Sequence, residues 1–145
     1  MIRAKGRLVA KGYSQVEGVD YFDTFAPTAP STSSRLVAAM ACKLDWDLRD
    51  MGVDQAFVLS EFDTEMLSRL PPGCGRLWGM VARLNKTLYG LKQSGRSWYK
   101  LLSSTLVECV FEQCLVDPCV FRLIVTKISS IHGVPGGLVG YLRAY

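Results

Sequence analysis

The chain is 145 residues long, 49% hydrophobic, 10% aromatic and 21% charged, with a formal net charge of +4. This composition fits one folded domain with a modest core and excludes disorder along the whole length. No apolar run reaches the roughly 18 residues of a membrane span, and the basic start, Met1-Ile2-Arg3-Ala4-Lys5-Gly6-Arg7, lacks the apolar core of a secretory signal.

Gly6 to Tyr13 alternates polar and apolar residues, which predicts a short strand. A Pro/Ser-rich connector over Phe25–Ser33 follows, after which Ser33 or Ser34 can cap a helix from about Arg35 to Asp45, with Leu36, Met40 and Leu44 as its apolar stripe. Trp46 to Phe57 has a strand-like pattern. Pro71-Pro72-Gly73 breaks the chain, and Val81–Leu84 reads as a second strand leading into a Lys86–Gly95 turn region. Trp98, Leu101, Leu102, Thr105, Leu106, Cys109 and Val110 recur at helical spacing and form an amphipathic stripe. Asp117-Pro118 stops this helix, and Cys119–Val125 resembles a strand. The expected fold class is α+β, with short antiparallel strands packed on two helices over residues 1–125. Residues 126–145, rich in Gly and Ser, are expected to form a disordered tail.

The charges are segregated. Residues 17–65 hold ten of the thirteen acids against three bases, whereas residues 66–107 carry seven bases and no acid. Such alternation suits a protein that grips a polyanion with one segment and cations with another; a solvated surface with chance clustering is the bland alternative. Without a signal, the five cysteines are expected to be reduced thiols of an intracellular, non-secreted protein. Cys109, Cys114 and Cys119 lie five apart, which fits no zinc-ligand spacing, and His132 is the only histidine, so no metal site of Cys and His is expected.

Five blocks occur in order: Arg7-Leu8-Val9-Ala10-Lys11-Gly12-Tyr13-Ser14-Gln15; Gly18-Val19-Asp20-Tyr21 with Thr24-Phe25-Ala26-Pro27; Pro71-Pro72-Gly73; Leu88-Tyr89-Gly90-Leu91-Lys92-Gln93 with Arg96 and Trp98-Tyr99; and Asp117-Pro118-Cys119-Val120-Phe121. Together they resemble the fingers and first part of the palm of copia-type retrotransposon reverse transcriptases. The resemblance implies an RNA-directed DNA polymerase that works by two-metal phosphoryl transfer, with two magnesium ions held by carboxylates. In that family the carboxylates come from a motif like M-D-V-K-T-A-F-L and from a later Y-V-D-D hairpin.

This chain departs from the family where the chemistry is concentrated. Met51-Gly52-Val53-Asp54-Gln55-Ala56-Phe57 falls against the first motif, so Gly52 stands at the position of the catalytic aspartate. On a strand, Asp50 and Asp54 would face the same way as Gly52 but about 6.5–7 Å along it, too far to replace a ligand held at about 2.1 Å. No acid follows Asp117, so the second ligand set has no counterpart, and no cofactor is expected to be held. Gly95 also stands where the family has proline, which is expected to loosen the turn before the helix.

The resemblance implies nucleotide or phosphate contacts for Arg7, Lys11, Tyr89, Gly90 and Lys92, with Lys5 on the same segment. Arg7 is the first of these because a guanidinium grips phosphate oxygens in pairs; a solvated strand cation is the alternative. Lys86, Arg96 and Lys100 are candidate nucleic-acid contacts. Trp98 and Tyr99 offer stacking faces, although Trp98 lies on the apolar stripe and reads as core, as does Phe57. Three functions follow: a polymerase remnant without activity, a non-catalytic module that binds nucleic acid weakly, and an active polymerase represented in part. No membrane partner is expected.

Overall fold

The computed structural model describes residues 6–124 and 137–141, with side chains over residues 6–123. The chain divides into two compact units, Met1–Phe25 with Val53–Lys100, and Ala26–Gly52 with Leu101–Tyr145. Among the described residues, two α-helices and five short antiparallel strands make the fold α+β. Lys5 lies outside the described residues.

In the first unit, strand β1 (Met66–Arg69) pairs antiparallel with β2 (Val81–Leu84), Met66 opposite Leu84 and Arg69 opposite Val81. One further bond, Leu70 N–H to the Met80 carbonyl at 3.0 Å, extends the ladder. Pro71 and Pro72 then end it, because neither has an N–H to donate. The predicted strand over Gly6–Tyr13 does not form: residues 6–11 have no regular structure, and Gly12–Ser14 is a 3-10 turn. An alternating pattern does not itself supply a neighbouring strand to pair with, and Leu8, Val9 and Tyr13 stay exposed.

Helix α2 (Ser94–Glu108) begins a turn earlier than its apolar stripe suggests, contributing Ser94–Lys100 to the first unit and Leu101–Glu108 to the second. Gly95 therefore lies inside its first turn rather than in a loop before it. Ser94 donates its hydroxyl to the Leu88 carbonyl at 2.6 Å, and Trp98 is buried as core. Much of this unit's interior is polar and hydrogen-bonded. The buried Ser60 and Thr87 hydroxyls lie 2.9 Å apart and both face the Phe57 carbonyl, so one can donate to the other while the second donates to that carbonyl.

In the second unit, α1 (Ser31–Leu44) starts straight after Pro30, without a side-chain cap, so Ser33 and Ser34 lie within the helix. Asp45, in the left-handed region at φ 54°, ends it by returning its N–H to the Ala41 carbonyl. The buried side is Ser34, Val37 and Ala41, while Leu36, Met40 and Leu44 are exposed. The stripe read from the sequence is thus rotated from the one the helix covers. Residues 46–53 have no regular structure, and Ala56–Leu59 is a 3-10 turn, so the expected palm strand is absent from this segment.

Strands β3 (Glu112–Gln113), β4 (Val120–Ile124) and β5 (Gly137–Tyr141) form one antiparallel sheet in the order β3-β4-β5. Phe121 on β4 is fully buried. Asp117 turns the chain into β4: one carboxylate oxygen accepts the Cys119 N–H at 2.9 Å, and its carbonyl accepts the Val120 N–H at 3.0 Å. Of the 126–145 segment expected to be disordered, residues 126–136 and 142–145 lie outside the described residues, and Gly137–Tyr141 is described as the edge strand β5.

Candidate nucleotide and nucleic-acid interface

Two of the recognised blocks, 78 positions apart at Gln15 and Gln93, meet in the first unit. Ala10 donates its N–H to the Tyr89 carbonyl at 2.7 Å. Beside this bond two glycines interlock. A Cβ on Gly12 would stand 1.9 Å from the Gly90 carbonyl oxygen, and one on Gly90, at φ +92°, would stand 2.3 Å from the Ala10 carbonyl oxygen. Only residues without side chains let these backbones approach so closely. Gly90, read from the sequence as a nucleotide-side glycine or a turn, makes its close approach to protein backbone.

A polar clamp continues the contact. The Gln15 amide accepts the Lys92 N–H at 2.9 Å and donates to the Gln93 side chain at 3.0 Å, and the Gln93 amide reaches the Asp20 carbonyl at 3.3 Å. Lys92 donates to the Tyr21 hydroxyl at 3.2 Å and lies 5.1 Å from that ring's centre. Arg7 stacks over Tyr89 at 5.0 Å, and Tyr89 in turn packs edge-on against Phe57 at 4.9 Å. Arg7, Tyr89, Gly90 and Lys92 are therefore brought together. Lys11 is exposed and lines an adjoining cleft of about 620 Å³, whose apolar walls include Val9, Met66, Leu84 and Leu88. Nothing local to Gln15 or Gln93 marks either as a clamp residue, since their role exists only across the contact.

The other three cations are engaged elsewhere. Lys86 pairs with Glu61 at 2.8 Å and donates to the Leu59 carbonyl at 3.2 Å. Arg96 pairs with Asp23 at 2.9 Å and reaches the Phe25 carbonyl at 3.3 Å. Lys100 pairs with Asp63 at 2.7 Å. The Lys86 ammonium, by hydrogen bond and then by charge, holds the Glu61 carboxyl below its usual range. Lys86 and Lys100 are exposed and Arg96 is half-buried, and such pairs are individually weak.

The resemblance implies a metal pair held by carboxylates, one of them expected near position 52. Gly52 supplies no ligand, its surroundings are open to 4 Å, and Asp50 and Asp54 are exposed on irregular backbone. Among the described residues no group of three or more His, Cys, Asp or Glu side chains converges to hold a metal ion. No helix among the described residues is long and apolar enough to cross a membrane. All five cysteines are free thiols.

Two of the recognised blocks lock together at Gly12 and Gly90, and comparison with known proteins gives the class. A family model described as reverse transcriptase (RNA-dependent DNA polymerase) matches residues 1–127, and the chain belongs to that family. Its relatives include the Retrovirus-related Pol polyprotein from transposon RE2 of Arabidopsis thaliana, 40% identical over 123 residues, 83% of this chain and 8% of that protein. The corresponding polyprotein from transposon TNT 1-94 of Nicotiana tabacum is 36% identical over 83% of this chain and 9% of its own length. The truncated transposon Ty1-A Gag-Pol polyprotein of Saccharomyces cerevisiae is 31% identical over 81% of this chain and 10% of its length. The chain is thus a copia-type member that spans about a tenth or less of these relatives. No solved structure matches it.

Proposed function

We propose that this chain is a polymerase-incompetent member of the reverse transcriptase family that retains weak, sequence-independent binding to nucleic acid. What supports the first half is Gly52, a residue with no ligand atom, in the stretch Met51–Phe57 that resembles the family's M-D-V-K-T-A-F motif. Two dications about 3.5–4 Å apart repel strongly and need several anionic oxygens to hold them, and the acid-free stretch after Asp117 supplies none.

Binding is supported by the cations of the first unit. Arg7, Lys11 and Lys92 form no ion pair with a carboxylate among the described residues. Phosphate contacts of this kind carry no sequence information and weaken as salt rises. Primer extension on RNA and DNA templates, with magnesium or manganese, tests the first half. Incorporation above a heat-inactivated control would overturn it. A salt titration of oligonucleotide binding tests the second: about four to six neutralised phosphates give a log–log slope near −3 to −5. Absence of binding at low salt, or indifference to salt, would remove that reading.

A further inference from the structure

The β1–β2 ribbon has two chemically different faces. Directly opposed residues of an antiparallel pair share a face, so the register places Met66, Ser68, Ala82 and Leu84 on one side and Leu67, Arg69, Val81 and Arg83 on the other. The first set is buried or half-buried and lines the cleft, whose rim also takes in Leu67 and Arg69. All four members of the second are exposed. At the far end the chain turns through a 3-10 segment, Gly75–Leu77, which carries exposed Arg76 and leads into Trp78, 67% exposed.

The pairing of charges shows why this ribbon matters. Of the seven bases in residues 66–107, Lys86, Arg96 and Lys100 are tied to carboxylates at 2.7–2.9 Å, while Arg83 meets Glu65 only at 3.5 Å. Lys92 rests on Tyr21. Arg69 and Arg76 make no ion pair among the described residues. The excess positive charge of the segment therefore emerges at the end of the hairpin, beside an exposed indole.

We infer that the outer face and tip of the β1–β2 hairpin bind single-stranded nucleic acid, with Arg69, Arg76 and Arg83 on phosphates and Trp78 stacked on a base. This rests on the nucleic-acid reading above and gives it a site. Guanidinium groups match phosphate geometry. Arg69 and Arg83 are diagonal neighbours about 7–8 Å apart on the ribbon, close enough to reach along one strand. An exposed tryptophan stacks on any unpaired base, and a duplex offers no such face within its length.

The test is fluorescence anisotropy of a labelled oligo(dT) with the 145-residue chain across a salt series. The double variant Arg69→Gln/Arg76→Gln should bind more weakly, with a salt slope shallower by about 1.4, two phosphates at about 0.7 each. Trp78→Ala should lose about tenfold or more in affinity. Trp78→Phe should retain part of that affinity while losing the tryptophan quenching that accompanies binding. The triple variant Lys86→Gln/Arg96→Gln/Lys100→Gln should weaken binding less than the double. If the wild-type chain binds but the double variant and Trp78→Ala bind equally well, the hairpin site is refuted and the broader reading stands. If the wild-type chain does not bind at low salt, both fall. Equal affinity for a duplex of the same sequence would overturn the single-strand assignment.

Discussion

Replacing Gly12 by alanine probes the contact that joins the two recognised blocks. The new Cβ would lie 1.9 Å from the Gly90 carbonyl oxygen, 2.9 Å from its carbon and 3.2 Å from Leu91 Cα. All three are backbone atoms, so no side chain can swing aside. Restoring an ordinary 3.4 Å contact requires the strands of chain to separate by about 1.5 Å, the difference between 3.4 and 1.9 Å. That displacement breaks the Ala10–Tyr89 backbone bond and strains both Gln15 bonds, to Lys92 and Gln93. At about 0.5–1.5 kcal/mol net for each, the loss is roughly 2–4 kcal/mol. A small domain stable by about 5–15 kcal/mol would lose a large share of its stability. Urea denaturation followed by circular dichroism measures this against Gly6→Ala and Gly52→Ala, whose Cβ atoms meet nothing within 4 Å. Hydrogen exchange at the Ala10 amide should accelerate in Gly12→Ala alone. Because Gly90→Ala disrupts the same contact, the double variant should cost clearly less than the sum of the singles. A Gly12→Ala chain within about 0.5 kcal/mol of the controls would refute the interlock.

Thr87→Val removes the hydroxyl that partners buried Ser60 and the Phe57 carbonyl, and should cost about 1–3 kcal/mol in urea denaturation. Lys86→Ala should raise the Glu61 pKa, read from its carboxyl NMR titration, since Lys86 holds it down. In the wild-type chain this pair stabilises above the unfolded Glu pKa, and its contribution fades as pH falls through the lower folded value. Gly52→Asp should create at most one weak magnesium or manganese site by calorimetry, with no primer extension, because residues 118–145 carry no side-chain carboxylate to add to it. Polymerisation by that variant would sink the polymerase-incompetent reading.

The elements that could be read from the sequence depend on local signals. Val81–Leu84 and Val120–Ile124 are bounded by turn residues and become β2 and β4. The spacing from Trp98 to Leu106 identifies α2, although the helix begins at Ser94, where a serine bonded back to Leu88 allows an earlier start. Residues 46–57 mislead for the opposite reason. Their alternation resembles a strand, but a strand also needs a paired neighbour, and no pattern within the segment reports one. Asp50, Gly52 and Asp54 therefore lie on irregular backbone rather than on one strand face. The interlock of Gly12 and Gly90 is likewise invisible locally, since each glycine taken alone suits an ordinary turn.

Charge shows most clearly how far sequence reasoning reaches. The acidic block over residues 17–65 and the basic block over residues 66–107 are plain in the sequence, and the latter suggested Lys86, Arg96 and Lys100 as contacts. Folding brings the blocks against each other: Glu61 takes Lys86, Asp23 takes Arg96 and Asp63 takes Lys100. The acids thereby screen much of the basic block from solvent anions, which a count of charges cannot reveal. Arg69 and Arg76 remain without carboxylates among the described residues, Arg69 exposed on the outer register face at the rim of the cleft and Arg76 at the ribbon's tip. The positive field that a polyanion would meet is thus set by the ribbon's register. A one-residue slip of β1 against β2 would move Arg69 to the covered face of the ribbon and Ser68 to the exposed one, removing the phosphate contact without changing a single charge in the sequence.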